Sequence, residues 1–295
     1  MVIMSILKRL LDFKNTITKI VKKSFSYTIT IGVSLFTILP EKFFINSPVN
    51  IVKYFDETST IILNRCLFLI LLFFIINIFF KLVSLLIKEV NIKKENFKIV
   101  IEYGDIFQYT NCKKVINFDE CFTVDVGDEP PKIKPSSICG QYLQKYPLSS
   151  KEIESLIAKA GLKPERGKSQ YNNQVKYKSG KIVPKDEYLL LAFAKLDSNG
   201  LGHFKRQQYI DCLFVLWEEI DKYYASKDVY IPILGSGNTR FEDESLTKQK
   251  LLDLIIYTYI LSPHKIQLPY KLHIVCTRSS DFSLNKIGES ISLSN

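Results

Sequence analysis

Fifteen consecutive residues, Cys66 to Phe80 (CLFLILLFFIINIFF), carry no charge and one polar side chain, Asn77. A helix that is apolar on every side suits protein core or lipid and excludes a half-solvated surface. Fifteen helical residues fall short of a hydrocarbon layer of about 30 Å. If Arg65 and Lys81 reach outward to headgroups, the stretch extends from Ile61 to Ile87. A transmembrane helix is therefore expected over 61–87.

A second charge-free stretch runs from Ser24 to Pro40, and Phe43, Phe44 and Ile45 extend it. It reads as a spanning helix over about 25–46, with an interfacial or re-entrant segment as the alternative. Tyr27, Thr30, Ser34, Thr37 and Glu41 fall on one face of it. Such a stripe either lines a water path in an oligomer or bonds back to its own carbonyls and faces lipid. Residues 1–23 alternate Lys8, Arg9, Lys14, Lys19, Lys22 and Lys23 with apolar residues. They read as a basic amphipathic helix on an anionic leaflet, lacking the cleavage site of a secretory signal.

The formal charge of +10 is concentrated here, with +7 in residues 1–96 and +3 in the rest. A basic excess on the most apolar third favours membrane lipids over nucleic acid, for which no recognition motif is visible. The positive-inside rule places both termini in the cytoplasm, as a multi-pass protein of the inner or plasma membrane. The six cysteines include no CxxC pair, which excludes a zinc ribbon and a small disulfide scaffold and predicts reduced thiols. His203, His264 and His273 share no ligand spacing, so no metal is expected.

From residue 97 the pattern changes to α/β. Strands are expected at 98–104, 187–197, 228–234 and 271–278, with short apolar runs at 113–118 and 122–126. Helices are expected at 136–146, 149–160, 204–225 and 246–261. Strands alternating with helices imply a three-layer domain with a mixed central sheet over 97–295, preceded by the two-helix membrane hairpin of 24–90. The charged stretch 88–97 reads as their connection.

Two strand ends carry chemistry. One is Gly104-Asp105-Ile106-Phe107. The other is Pro232-Ile233-Leu234-Gly235-Ser236-Gly237-Asn238-Thr239-Arg240. Ligands of open α/β sheets sit beyond the carboxyl ends of strands. A Gly-x-Gly turn there brings backbone N–H groups close to a diphosphate, assisted by the next helix N-terminus. Arg240 can add a bidentate contact or pair with Glu242 or Asp243. Asp105 can accept from an exocyclic amine or cap the following turn.

These two segments, with Ser137 to Tyr142, Leu190 to Asp197 and Trp217, resemble the macro domain, an ADP-ribose-binding fold. More narrowly, residues 97–280 behind two membrane helices resemble the membrane-anchored macro-domain effectors of type II Thoeris antiviral systems. The resemblance implies that Asp105 and Ile106 read adenine. It places Asn117, Phe118 and Asp119 near the distal ribose, and Gly235, Ser236, Gly237, Asn238, Thr239 and Arg240 on the diphosphate. It implies a TIR-domain partner that makes an ADP-ribose signal from NAD, expected to be histidine-linked, and a homo-oligomer that disrupts the membrane. The family's asparagine-rich Gly/Ala loop is missing: residues 115–120 read Val-Ile-Asn-Phe-Asp-Glu. The resemblance therefore implies a receptor with no catalytic residues and no cofactor beyond the ligand. The alternative is a membrane-tethered ADP-ribosyl hydrolase dependent on Asn117 or Asp119.

Overall fold

The computed structural model describes residues 17–45, 57–129, 132–242, 246–279 and 282–287. The chain forms two compact units, 1–87 and 88–295.

The first unit is a helical hairpin of α1 (Ile17–Ile38), the short α2 (Glu41–Ile45) and α3 (Glu57–Leu86). The basic helix expected over 1–23 falls mostly outside the described residues. Its last part, 17–23, is the opening of α1, since nothing between Lys23 and Ser24 breaks a helix. The helix expected over 25–46 instead stops at Ile38. Pro40 disfavours helical backbone at Leu39, and the chain restarts as α2. The helix expected over 61–87 starts earlier, at Glu57, and ends at Leu86.

Small and polar side chains bring α1 and α3 together. Ser24, Thr28 and Gly32 recur every four residues and face α3, where Ser24 and Thr28 are buried and a Cβ at Gly32 would collide with Leu69. Small residues at this spacing let helices approach closely. Asn77, the lone polar side chain of the apolar run, donates to Ser24 Oγ at 3.4 Å. At the far end Asn64 donates to the Phe44 carbonyl at 2.6 Å, and the Arg65 guanidinium lies over the rings of Phe36 and Phe44. These contacts run the two helices antiparallel. The stripe of Thr30, Ser34 and Thr37 faces away from α3, and each hydroxyl donates to a carbonyl of its own helix. Among the described helices, one is long and apolar enough to cross a membrane, over Thr58–Val83. α1 is less apolar.

The second unit contains β1 (Glu89–Lys93), β2 (Lys98–Tyr103), β3 (Lys113–Asp119), α4 (Ile138–Lys145), α5 (Ser150–Lys159), β4 (Ile182–Lys185) and β5 (Tyr188–Leu196). β6 (Gly202–Phe204), α6 (Arg206–Tyr223), β7 (Val229–Pro232), β8 (Arg240–Phe241), α7 (Lys248–Leu261) and β9 (Leu272–Cys276) follow. The described strands form one mixed sheet in the order β1-β2-β9-β7-β3-β5-β6-β8, with β4 also on β5. The inner run β2-β9-β7-β3-β5 is parallel; β1 on β2, and β4 and β6 on β5, pair antiparallel, and β8 joins β6 in parallel.

The stretch 88–97, expected as a connection, is β1 and the turn into β2. Val90 and Ile92 alternate with Glu89, Asn91 and Lys93, the pattern of a strand with one covered face. The run 122–126 forms no strand. The Asp119 side chain closes a turn there, Phe122 takes a positive φ of 54°, and only Val126 bridges, to Ile133.

Both sheet faces are covered. α4 and α5 pack Cys139, Tyr142, Ile153 and Ile157 against Ile116, Phe118, Leu190 and Ala192. On the other face Phe193 meets Tyr209 of α6, and Trp217 of α6 donates to Thr258 of α7 at 3.1 Å. β5 is buried along nearly its whole length, as a central parallel strand requires. Leu191→Ala in β5 should therefore destabilise the protein by about 2–5 kcal/mol, read as a lower unfolding midpoint of the full chain in detergent.

Candidate functional site

Because β2, β9, β7, β3 and β5 run parallel, the segments after Tyr103, Cys276, Pro232, Asp119 and Leu196 leave the sheet along one edge. An open cleft of about 490 Å³ lies along this edge. Asn117, Phe118 and Asp119 line it from β3. Gly235, Ser236, Gly237, Asn238 and Thr239 line it after β7, and Thr277 after β9.

The glycine loop is held from below. Ile233 and Leu234 are buried. The Tyr209 hydroxyl donates to the Leu234 carbonyl at 3.0 Å, and Ser236 Oγ turns back to the Ile233 carbonyl at 2.7 Å. Gly235 sits at φ +80°, and a Cβ there would lie 3.0 Å from the Phe241 ring. Only glycine fits both the backbone and the space. Gly237 and Asn238 are exposed, and among the described residues their N–H groups donate to no backbone carbonyl. They are therefore available to an anion.

Asp119 is committed locally. A bulge after Phe118 re-aims it. Its carboxylate accepts from the N–H groups of Cys121 (2.8 Å) and Thr123 (3.3 Å) and from the Thr123 hydroxyl. Burial pushes its carboxyl above the usual carboxylate range, and these three donors pull it back. Burial and the nearby Asp119 push the Cys139 thiol well up, so this lining thiol is no thiolate.

Three expected residues lie elsewhere. Asp105 and Ile106 are not among the cleft-lining residues. Asp105 is exposed and caps the 3₁₀ turn Ile106–Gln108, accepting from Phe107 N at 3.0 Å through Oδ1, and Ile106 is buried. β2 and β9 pair Tyr103 with Cys276, so Asp105 emerges beside the strand end that carries Thr277. Arg240 lies on β8, exposed, along a smaller neighbouring cleft of about 350 Å³ that shares Gly235, Ser236, Gly237 and Thr239. Glu242 approaches Lys205 at 3.5 Å and His203 at 3.8 Å.

Lys248 is the residue that sequence reasoning missed. As the first residue of α7, behind the Thr247 cap, it lines both clefts and donates to Thr277 Oγ1 at 3.3 Å. Its signal was a lysine just after a capping threonine. The helix expected over 246–261 starts at Lys248, because the Thr247 side chain caps it. Lys132, Lys134, Asp128 and Gln141 form another wall, drawn from the loop before α4 and from α4 itself. Each histidine faces carboxylate: His264 faces Asp221, His203 faces Glu242, and His273 lies between Glu102 and Asp228. Among the described residues no group of three His, Cys, Asp or Glu side chains could hold a metal.

Gly235→Val should cost about 1–2 kcal/mol from left-handed backbone alone, with further loss from displacing Phe241. Gly237→Ala, with open space around it, should stay within about 0.5 kcal/mol of the parent. Denaturant titration of the full-length variants checks the contrast.

The family model for the macro domain of Thoeris protein ThsA matches residues 99–277. Thoeris protein ThsA of Bacillus amyloliquefaciens (strain Y2) is 30% identical over 209 residues, covering 68% of this chain and 69% of that protein. Among solved structures, two macrodomain mutants of Oceanobacillus iheyensis, one with ADPR, each give a TM-score of 0.45 at 9% and 10% identity. Both alignments cover 70% of this chain and 98% of the other. With more than half its length matched by the family model and this relative beside it, the chain belongs to the Thoeris ThsA macro-domain family.

Proposed function

We propose that the protein is an antiviral-defence receptor whose macro domain binds an NAD-derived ADP-ribose signal in the cleft at the strand ends. The observation that carries this reading is the Gly235–Thr239 loop. It presents backbone donors beside Lys248 at the edge where five parallel strands end, a geometry suited to a diphosphate. We place a group attached to the distal ribose against the wall of Asp128, Lys132, Lys134 and Gln141. We take that group to be histidine, supplied with the nucleotide by a TIR-domain partner.

Binding without hydrolysis is part of the proposal. The Asp119 carboxylate, which a hydrolase would use, is occupied by the turn at 121–123. A receptor also gains nothing by destroying its signal. The apolar α3, packed against α1 through small residues, is taken as the membrane part. The basic N-terminal region sets both termini on the cytoplasmic side, among anionic lipids. Ligand binding then drives a homo-oligomer to breach the membrane. The signal must bind the active state more tightly than the resting one for anything to switch.

Calorimetric titration of the full chain in detergent should show binding of ADP-ribose and tighter binding of its histidine conjugate. Gly235→Val should abolish both, and Lys248→Ala should weaken them about tenfold or more, the loss of one charge-assisted contact. In liposomes, the conjugate should trigger dye release. A folded chain that binds neither nucleotide would overturn the receptor reading. Binding without release would overturn the membrane-breaching part, and release of free ADP-ribose from a modified substrate would establish the hydrolase instead.

A further inference from the structure

We propose that the outer edge of β1 is a self-pairing seam. Two copies of this chain join β1 to β1 antiparallel about Asn91, with Glu89 of each facing Lys93 of the other. β1 ends the sheet on its side, and among the described residues no strand pairs with its outer edge.

The backbone register fixes what that edge offers. Tyr103 N donates to the Lys88 carbonyl and Lys94 N to the Phe97 carbonyl, at the two ends of the β1–β2 ladder. Antiparallel ladders alternate. The even-numbered residues of β1 therefore bond to β2, and Glu89, Asn91 and Lys93 turn their N–H and C=O groups outward. A second β1 centred on Asn91 sets outward residues against outward residues, each facing pair exchanging two backbone hydrogen bonds. A shift by one residue would call on backbone groups already used within the chain.

The charges select the same arrangement. Within the chain, the register sets like against like: Glu89 lies opposite Glu102, and Lys93 opposite Lys98. Like charges directly across a ladder are destabilising. In the antiparallel seam a lysine of the second copy comes beside each glutamate pair, and a glutamate beside each lysine pair, on the same face. Asn91 Nδ2 donates to Glu89 Oε1 at 3.0 Å, which holds that carboxylate over the strand. On the opposite face, Val90 and Ile92 meet their counterparts. In-register parallel pairing would instead bring the like charges of the two copies together.

A five-residue seam is far smaller than the interface of a stable dimer of free proteins. Chains confined to one membrane have a raised effective concentration. The strength of the seam thus rests on the membrane reading above, while its register does not.

The test uses the full chain in detergent and in lipid nanodiscs, with and without ADP-ribose, and reads subunit number by light scattering. The parent chain should assemble in pairs or multiples of pairs. Glu89→Lys and Lys93→Glu should each weaken assembly about tenfold, since two cross-strand pairs turn from attractive to repulsive. Each of them improves the charge match inside β1–β2, so neither should unfold the domain. The double variant should restore assembly. Asn91→Cys, with the exposed Cys66 changed to Ala, should cross-link chain to chain on mild oxidation, because facing Cα atoms about 5.5 Å apart lie within disulfide reach. A chain that is monomeric in every condition overturns the seam. So does assembly indifferent to both reversals, a double variant that fails to recover, or an assembled chain that does not cross-link; in those cases Glu89 and Lys93 serve only to keep other strands away from the edge. A chain that stays dispersed without detergent overturns the membrane reading, a result distinct from any of these.

Discussion

Five parallel strands ending along one edge are the constraint on which the rest of the second unit depends. Parallel strands need crossovers, and the crossovers bring helices to both faces of the sheet. With both faces covered, the space left for a ligand is the rim where the strands stop. The cleft is built there from residues far apart in sequence. Asn117, Gly235 and Thr277 meet because β3, β7 and β9 are neighbours in the sheet.

The site is stiff where it meets the core and open where it meets solvent. Tyr209, Phe204 and Phe241 form an aromatic floor beneath Gly235. The Tyr209 hydroxyl fixes the carbonyl of Leu234, and the loop tip at Gly237 and Asn238 is left uncovered. Preorganised backbone donors lose little freedom on binding an anion. The helical hairpin follows a different logic. Many of its apolar residues are exposed, and its contact is shared between Ser24, Thr28, Gly32, Asn64 and Asn77 and the rings of Phe36, Phe44 and Phe68. That inverts the arrangement of the α/β unit, where apolar side chains make the core.

Much of this was legible from local pattern. The strands at 98–103, 113–119, 188–196, 229–232 and 272–276 lie within a residue or two of their apolar runs. The Ser149 and Glu152 capping box marks the start of α5. What was not legible was tertiary at β1 and at Lys248, and a local side-chain bond at Asp119. β1 looked like a charged connection because its partner strand supplies half of its ladder. Residues 122–126 read as a short apolar run, and the side chain of Asp119, three residues before it, closes a turn there by bonding Cys121 and Thr123. Lys248 had only the capping Thr247 before it as a signal, and the tertiary fold brings it to Thr277, 29 residues on. Asp105 could be read from sequence as an adenine acceptor or as a turn cap; the structure shows its carboxylate capping the turn at the neighbouring strand end.

The sequence by itself determined the division into an apolar helical part and an α/β part. It also determined the position of the Gly235–Thr239 loop and the absence of any metal-ligand spacing. Those features are set by local composition, periodicity and turn chemistry, which operate within a few residues. The tertiary structure alone decided which strand ends are neighbours, that Ser24, Thr28 and Gly32 rather than Thr30, Ser34 and Thr37 face α3, and that β1 presents its edge. Such choices depend on hydrogen-bond register and close packing between segments distant in the chain, and neither leaves a signature within one segment.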